Sequence, residues 1–182
     1  MFKVEVDSEI RLCLINRSFS KDLVRLVEEN LEYLSQWLDW PRHCKTENDF
    51  DAFIQGVLHS YANGKSMICV IEYKKEVIGV CGLSEINDTL SCAKIGYWIA
   101  QNKQGKGIVT RVCQYLMFYA FDELKVHKVE IAAAVENRSS RVVCMRLGMK
   151  LEGIFTNKAK VGNKILDHAV YSTHNSQKTV LR

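Results

Sequence analysis

The chain has 182 residues, which fits one domain, and its hydrophobic fraction of 47% and charged fraction of 25% are those of a globular protein in water. Its net charge of +4 is small and scattered, its seven cysteines include no Cys-x-x-Cys pair, and no run approaches the roughly 18 apolar residues of a membrane span. These totals argue against a nucleic-acid stripe, a zinc site, a disulfide framework and a membrane protein, and the N-terminus lacks the apolar stretch of a signal peptide. We therefore expect a single domain over 1–182 in the cytoplasm, with no metal and no direct nucleic-acid or membrane partner.

The first predicted elements are a strand and a long helix. Residues 10–15 form an apolar run that is typical of a strand. Ser20 is predicted as the N-cap of a helix that runs to about Trp37. One face of that helix carries the apolar residues Leu23, Leu26, Val27, Leu31 and Leu34.

A second helix and three strands follow. Thr46, with Asp49 three residues later, resembles a capping signal for a helix that the Asn-Gly pair at 63–64 ends. Turn residues in short links then separate three apolar runs, which favours antiparallel pairing between neighbours. These strands are predicted at 67–73, 77–83 and 90–99.

The most informative segment is 104–110, which reads Gln-Gly-Lys-Gly-Ile-Val-Thr and lies between a strand-like run and an amphipathic helix. Gly105 and Gly107 permit backbone conformations that a side chain would forbid. The first turn of the helix directs unpaired N–H groups and the positive end of its dipole toward a ligand, which predicts a cradle for a phosphate or pyrophosphate. A Rossmann protein or P-loop NTPase fits poorly, because the third glycine of the one and the Gly-Lys-Ser/Thr of the other are absent.

The rest of the chain predicts a strand, a short helix and a final hairpin. A crossover helix makes the strand a parallel neighbour of the one before the glycine loop. The order β, α, α, β, β, β, α, β, α, β, β then describes a mixed sheet with helices on both faces. These last elements are predicted at 128–135, 139–147, 150–161 and 165–173.

Two motifs in fixed order resemble those of the GCN5-related N-acetyltransferase (GNAT) superfamily. The pyrophosphate motif Gln/Arg-x-x-Gly-x-Gly/Ala is matched by 104–109, with Val109 where Gly or Ala is usual. The signature of an Asn, a helix and Leu-Gly-Phe is matched by Asn137 and 147–149, with Met149 in place of Phe. Further runs are similar to those of the RimJ/RimL branch, which acetylates the N-termini of ribosomal proteins; they lie at 37–40, 95–99, 136–141 and 151–153.

The resemblance implies a mixed α/β GNAT fold with a central, mostly antiparallel sheet of about seven strands and helices on both faces. It also implies acetyl-CoA as the donor, the N-terminus of a protein or peptide as the acceptor, a ribosomal protein among them, and a homodimer. The pantetheine arm would hydrogen-bond Asn137 and dock along the strand edge that carries Ile95 and Ile99. The expected cofactor-binding residues are Ile99, Gln104, Gly105, Lys106, Gly107, Val109, Thr110, Asn137 and Ser140.

Ser140 is the preferred candidate to donate a proton to the departing CoA thiolate. Many relatives carry a Tyr seven residues after the Asn, and Cys144, which occupies that position here, is the second candidate. Alternatively, Ser140 only caps its short helix. An alkyl thiol has a pKa near 8.5, so its thiolate leaves without a strong acid.

The general base is less well defined. Relatives often carry a Glu just before the Ile-Gly-Tyr-Trp run, where this chain has Lys94. The carboxylates in plausible places are Glu85 and Asp167, and His168 is a further candidate unless it is a plain surface side chain.

The lack of an obvious strong base bears on the acceptor. About a tenth of an α-amine is neutral at pH 7, against fewer than about one in a thousand lysine amines. We therefore expect an N-terminal α-amine, bound beside Trp37, Trp40 and Tyr97, although the tryptophans could instead be packing residues. Two other functions stay open at this point: a small-molecule amine N-acetyltransferase and a non-catalytic acyl-CoA-binding module.

Overall fold

The computed structural model describes residues 3–175, and one eight-stranded sheet runs through them. The sheet order is β1-β2-β3-β4-β5-β6-β8-β7, and each neighbouring pair is antiparallel except β5 with β6. In chain order the strands are β1 (Lys3–Glu5), β2 (Ile10–Leu14), β3 (Met67–Tyr73), β4 (Glu76–Asn87), β5 (Cys92–Ile99), β6 (Lys128–Ala134), β7 (Lys150–Val161) and β8 (Lys164–His174).

Within residues 3–175, five α-helices cover the two faces of the sheet; the sequence predicts helices on both faces but only four of them, because it runs the first two together. The cluster on one face packs α1 and α3 against β2, β3 and β4, and the cluster on the other face packs α4 and α5 against the centre of the sheet. None of the helices between residues 3 and 175 is long and apolar enough to cross a membrane. The helices are α1 (Ser20–Glu29), α2 (Leu31–Leu34), α3 (Glu47–Ala62), α4 (Ile108–Phe118) and α5 (Arg138–Arg146).

The predicted helix from Ser20 to about Trp37 is wrong in two respects. Its start is not capped by Ser20, which is buried and donates its hydroxyl to Asp51 at 2.5 Å; instead the Asn16 side chain caps a short 3-10 turn that leads into α1. Its middle is broken at Asn30, whose side chain donates to Leu26 O at 2.8 Å and accepts from the backbone N–H of Gln101 at 2.8 Å. This break separates α2 from α1, and two residues of α2, Tyr33 and Leu34, line the cavity described below.

Most other local predictions are confirmed. Thr46 and Asp49 form a complete capping box at the start of α3, and Gly64 ends that helix with φ +68°. The predicted strand at 77–83 is longer, since β4 extends from Glu76 to Asn87. The sheet has eight strands rather than about seven because β1, which is only three residues long, pairs with β2.

The pairing between β5 and β6 positions the site. These parallel strands pair over only three residue pairs, Cys92–Lys128, Ala93–Val129 and Lys94–Glu130. Beyond that point β5 stays with β4 as far as Ile99 and β6 stays with β8 as far as Ala134, so the two strands diverge. The sheet therefore opens into a split at its centre, below the glycine loop.

Candidate active site

A cavity of about 590 Å³ occupies the split between β5 and β6. Its walls come from both strands, from α2 with the turn after it, from the glycine loop, from one face of α5 and from β8. Within residues 3–175 the lining contains four cationic side chains and no Asp or Glu. The four cations are Lys103, Lys106, Arg138 and Arg146.

The glycine loop has the geometry of an anion cradle. Gly105 and Gly107 adopt left-handed conformations with φ +74° and +69°, and Gly107 is the N-cap of α4. A Cβ at either glycine would meet no atom within 4 Å, so glycine serves the backbone conformation here rather than close packing. The amides of 105–110 donate no hydrogen bond within the described chain; the first to do so is Arg111, to Gly107 O at 3.2 Å. These free N–H groups and the helix dipole fit a pyrophosphate.

Cations around the loop add to its positive potential. Lys106, Arg138 and Arg146 line the cavity and have no carboxylate within 4.0 Å in the part of the chain that the structure describes. Lys103, in contrast, is paired with Glu76 at 2.5 Å. Three cations without such a partner, beside free backbone amides, suit a ligand with several phosphate charges. All nine residues that the sequence predicts for cofactor binding lie in the wall of this one cavity.

The loop is also tied to the broken helix. Gln104 donates its Nε2 to the Tyr33 hydroxyl, and Gln101 donates its backbone N–H to Asn30. These two contacts join residues 71 positions apart in the chain. They connect the junction of α1 and α2 to the glycine loop and to the short turn before it, so these two walls of the cavity are linked.

Ser140 lies in the cavity wall and is hydrogen-bonded to a neighbouring phenol. Its Oγ is 2.7 Å from the Tyr97 hydroxyl. Asn137 caps α5, because its Oδ1 accepts from the backbone N–H of Ser140 at 3.1 Å. The alternative that the Ser140 hydroxyl only caps its helix is therefore wrong, and this hydroxyl is available for chemistry.

Cys144, the second candidate for the acid, is not part of the cavity. Its side chain is fully buried in the core beneath α5, and its thiol donates to Ser140 O at 3.5 Å. Burial raises the pKa of this thiol to about 11. The two side chains share one face of α5, but Ser140 lies in its first turn, beside the cavity, and Cys144 lies one turn further along, over the core.

Among the predicted bases, the structure brings only His168 to the cavity. It lies on β8, and its Nε2 is buried with no hydrogen-bond partner within residues 3–175. Burial, together with the nearby Lys158 ammonium, lowers the pKa of this imidazole below its usual 6.5, so it is neutral at pH 7. A neutral imidazole whose Nε2 has no partner is suited to accept a proton or a hydrogen bond from a ligand.

The carboxylate candidates lie elsewhere, which corrects the expectation for Glu85. Glu85 is half-exposed and forms an ion pair with Lys94 at 2.7 Å, at the end of β5 where the strands are still paired. Lys94 therefore compensates Glu85 instead of taking the place of a base in the cavity. Asp167 accepts the backbone N–H of Asn157 at 2.9 Å and is absent from the cavity wall.

The two tryptophans that the sequence treats alike have different surroundings. Trp37 lines the cavity and packs on the small cluster of Ala134, Val161 and Leu166. Trp40 does not line it: its ring packs against Phe50 at 6.2 Å and Trp98 at 5.7 Å in the core between α3 and the sheet. Trp40 is thus a packing residue outside the cavity, whereas Trp37 both packs on a hydrophobic cluster and lines the cavity.

Comparison with known proteins decides the family. Residues 11–150 match the model of the acetyltransferase (GNAT) domain. The chain belongs to the GNAT acetyltransferase family. It is 32% identical to the putative ribosomal N-acetyltransferase YdaF of Bacillus subtilis over 84% of each chain, and 29% identical to the ribosomal-protein-serine acetyltransferase of Escherichia coli over 82% of this chain and 84% of that one. A more distant relative, 23% identical over 89% of this chain and 91% of its own, is a spermidine N(1)-acetyltransferase of Vibrio cholerae.

Solved structures agree with this assignment. The structure of RimL, a ribosomal L7/L12 alpha-N-protein acetyltransferase in complex with coenzyme A, superposes with a TM-score of 0.91 and 25% identity, covering 95% of this chain and 98% of that one. This GNAT protein is therefore an N-acetyltransferase with acetyl-CoA as its donor.

Several cavity residues of this acetyltransferase escape the sequence analysis. Tyr33 and Trp98 reach the wall only because α2 and β5 are brought together by the sheet. Arg138 and Arg146 leave a weak signal, since basic residues on the polar face of a short helix are usually solvated. Ala132–Ala134 line the cavity because β6 separates from β5 at this point. Their sequence gives no sign of this, since small apolar residues in a strand are typical of a core.

Proposed function

We propose that this acetyltransferase modifies the N-terminal α-amine of a protein, with ribosomal proteins as the first acceptors to test. The observation that carries the proposal is the cavity wall, which holds four cations and no carboxylate within the described chain. An acceptor that is neutral for about a tenth of the time at pH 7 needs no carboxylate base. The relatives named for ribosomal N-acetylation support the same acceptor class.

The wall also argues against the alternative of a polyamine. A polyamine carries several positive charges, and its recognition requires acidic side chains near the reacting amine. Within residues 3–175 the wall offers no Asp or Glu to such a substrate. A non-catalytic acyl-CoA-binding module is also disfavoured, because Ser140 and the free His168 Nε2 line the same cavity.

The donor, as we propose it, binds with its pyrophosphate on the amides of 105–110 and its pantetheine arm in the split beside Ile99 and Asn137. Lys106 and Gln104 complete this part of the site. When bound, acetyl-CoA supplies an acetyl group activated as a thioester. The thioester of the donor would then lie beside Ser140.

His168 is our candidate for the base. The neutral amine attacks the thioester carbon, and the His168 imidazole accepts the proton that the acceptor nitrogen gives up as the new carbon–nitrogen bond forms and the carbon–sulfur bond breaks. The electron pair of the broken bond stays on sulfur, where Ser140 Oγ–H stabilises it by a hydrogen bond. The resulting thiolate takes up a proton from solvent after it leaves, which its pKa near 8.5 allows. Trp37 and Tyr97 are proposed to flank the acceptor.

A panel of acceptors tests the proposal. Purified protein is incubated with acetyl-CoA and either N-terminal peptides of ribosomal proteins, the same peptides with blocked α-amines, internal-lysine peptides, or spermidine, and products are mapped by mass spectrometry. We expect acetylation at free α-amines alone. Faster turnover of spermidine or of internal lysines would refute the N-terminal assignment, and binding of acetyl-CoA without any transfer would favour the module.

Two finer expectations belong to the same proposal. A cytoplasmic location follows from ribosomal-protein acceptors, and imaging of a tagged copy at native level would test it. The homodimer implied by the resemblance would be tested by light scattering during gel filtration.

A further inference from the structure

We propose that Tyr97 is a positioning residue that directs the Ser140 hydroxyl proton into the cavity, toward the sulfur of the donor. The inference rests on the proposed role of Ser140 and adds a second residue to it. The Tyr97 hydroxyl oxygen and Ser140 Oγ are 2.7 Å apart.

The direction of this hydrogen bond follows from burial. The Tyr97 ring is packed against the main core cluster, and burial raises the pKa of its phenol far above the usual value, so the phenol keeps its proton. The side chain is partly buried, and a phenol O–H that is shielded from water needs an acceptor. Within residues 3–175 it has two, both on Ser140: Oγ at 2.7 Å and the backbone O at 3.4 Å.

The two distances indicate which atom of Ser140 is the better acceptor for the phenol. A separation of 2.7 Å is the usual length of a good O–H···O bond, whereas 3.4 Å is near the limit. Tyr97 therefore donates to Ser140 Oγ. The Ser140 backbone O is farther from the phenol and also accepts the Cys144 thiol at 3.5 Å, so Oγ is the better acceptor.

Donation by Tyr97 restricts the orientation of the Ser140 hydroxyl. Once Oγ accepts from Tyr97, the single proton of Ser140 must point away from the phenol. Ser140 lines the cavity, so its proton is directed into it. Donation by Tyr97 also polarises Ser140 Oγ–H and strengthens the bond that this group makes to a thiolate. No proton leaves Tyr97, since a buried tyrosinate would be strongly disfavoured.

The two residues come from separate elements, β5 and α5, and are 43 positions apart. Tyr97 shares the face of β5 that carries Ile95 and Ile99 toward α4 and α5. Asn137 fixes the start of α5 and so the place of Ser140. Capping at one end and a phenol at the other thus hold one hydroxyl in one orientation.

A double-mutant cycle with Tyr97→Phe and Ser140→Ala tests the inference. Turnover is measured with whichever amine proves best in the acceptor panel. Ser140→Ala is expected to lower kcat about tenfold and Tyr97→Phe about three- to fivefold, the loss of one net hydrogen bond. In the Ser140→Ala background, Tyr97→Phe is expected to cost nothing further, because its effect passes through Ser140.

A second readout does not depend on turnover. The pKa of the thiol of bound coenzyme A is titrated through the ultraviolet absorbance of its thiolate. Hydrogen-bond donors favour the charged form, so Tyr97→Phe and Ser140→Ala should both raise this pKa. Tyr171→Phe is the matched control: its buried phenol accepts from Arg141 Nε at 3.0 Å, and it lies outside the cavity.

The outcomes distinguish the role of Ser140 from that of Tyr97. If Ser140→Ala changes neither kcat nor the thiol pKa, the proposed role of Ser140 is wrong. If Ser140→Ala acts but Tyr97→Phe is neutral, adds fully to it, or matches Tyr171→Phe in both readouts, Ser140 keeps its role and the inference about Tyr97 is overturned.

Discussion

A charge placed in the glycine loop should separate cofactor binding from folding. Gly107 has φ +69° and open space around its missing Cβ, so Gly107→Ala and Gly107→Glu impose the same backbone strain, about 1–2 kcal/mol for a left-handed residue that is not glycine. Only the glutamate adds a negative charge where the pyrophosphate is proposed to lie. At about 6 Å and an effective dielectric constant of about 20, one pair of like charges costs nearly 3 kcal/mol, or about 2 kcal/mol after allowance for solvent at an open site.

These magnitudes predict a clear difference in a thermal melt. A penalty of about 2 kcal/mol weakens binding about thirtyfold. Acetyl-CoA at about 100 times the wild-type Kd adds roughly 2.7 kcal/mol, which raises Tm by about 5–11 °C for a chain of this size. Gly107→Ala should keep that increment from a lower starting Tm, whereas Gly107→Glu should keep only about 2–3 °C of it. Equal increments in the two variants would refute the placement of the pyrophosphate.

Three further outcomes are expected. If His168 is the base, kcat/KM falls as pH falls through its depressed pKa, below 6.5. Lys158→Gln should shift this acidic limb of the pH profile to higher pH, because the loss of a nearby cation raises the pKa of His168. An acidic limb that does not move would exclude His168 as the group that titrates. Glu85→Gln should leave kcat/KM within about twofold, since its carboxylate is ion-paired outside the cavity, and a hundredfold loss in the peptide assay would restore it as a candidate base. Thr46→Ala removes half of a capping box and should lower the free energy of unfolding by about 1 kcal/mol and Tm by about 2–4 °C, with kcat unchanged. A melting curve identical to that of the wild type would show that the cap is not formed.

Features whose chemistry is local can be predicted from the amino-acid sequence alone. The capping box at Thr46 and Asp49 is complete within four residues, so the start of α3 needs nothing from the rest of the chain. The two glycines of the loop are required by left-handed backbone angles at those positions, and the free amides follow from the helix that begins there. The order of strands and helices likewise follows from the pattern of residue types along the chain, whereas the family and the donor rest on the resemblance of two motifs to those of known acetyltransferases.

Which side chains share the cavity depends instead on the tertiary fold. Asn30 breaks a helix of uninterrupted apolar spacing because it binds the backbone of Gln101, 71 positions away, and no helical pattern records such a partner. Trp37 and Trp40 differ because one reaches the β5–β6 split and the other meets Trp98 in the core. Likewise Glu85 and His168 are equivalent as candidates until the register places the first beside Lys94 and the second in the wall. Burial and the choice of partner depend on strand order and on where two strands diverge, and these are properties of the whole sheet.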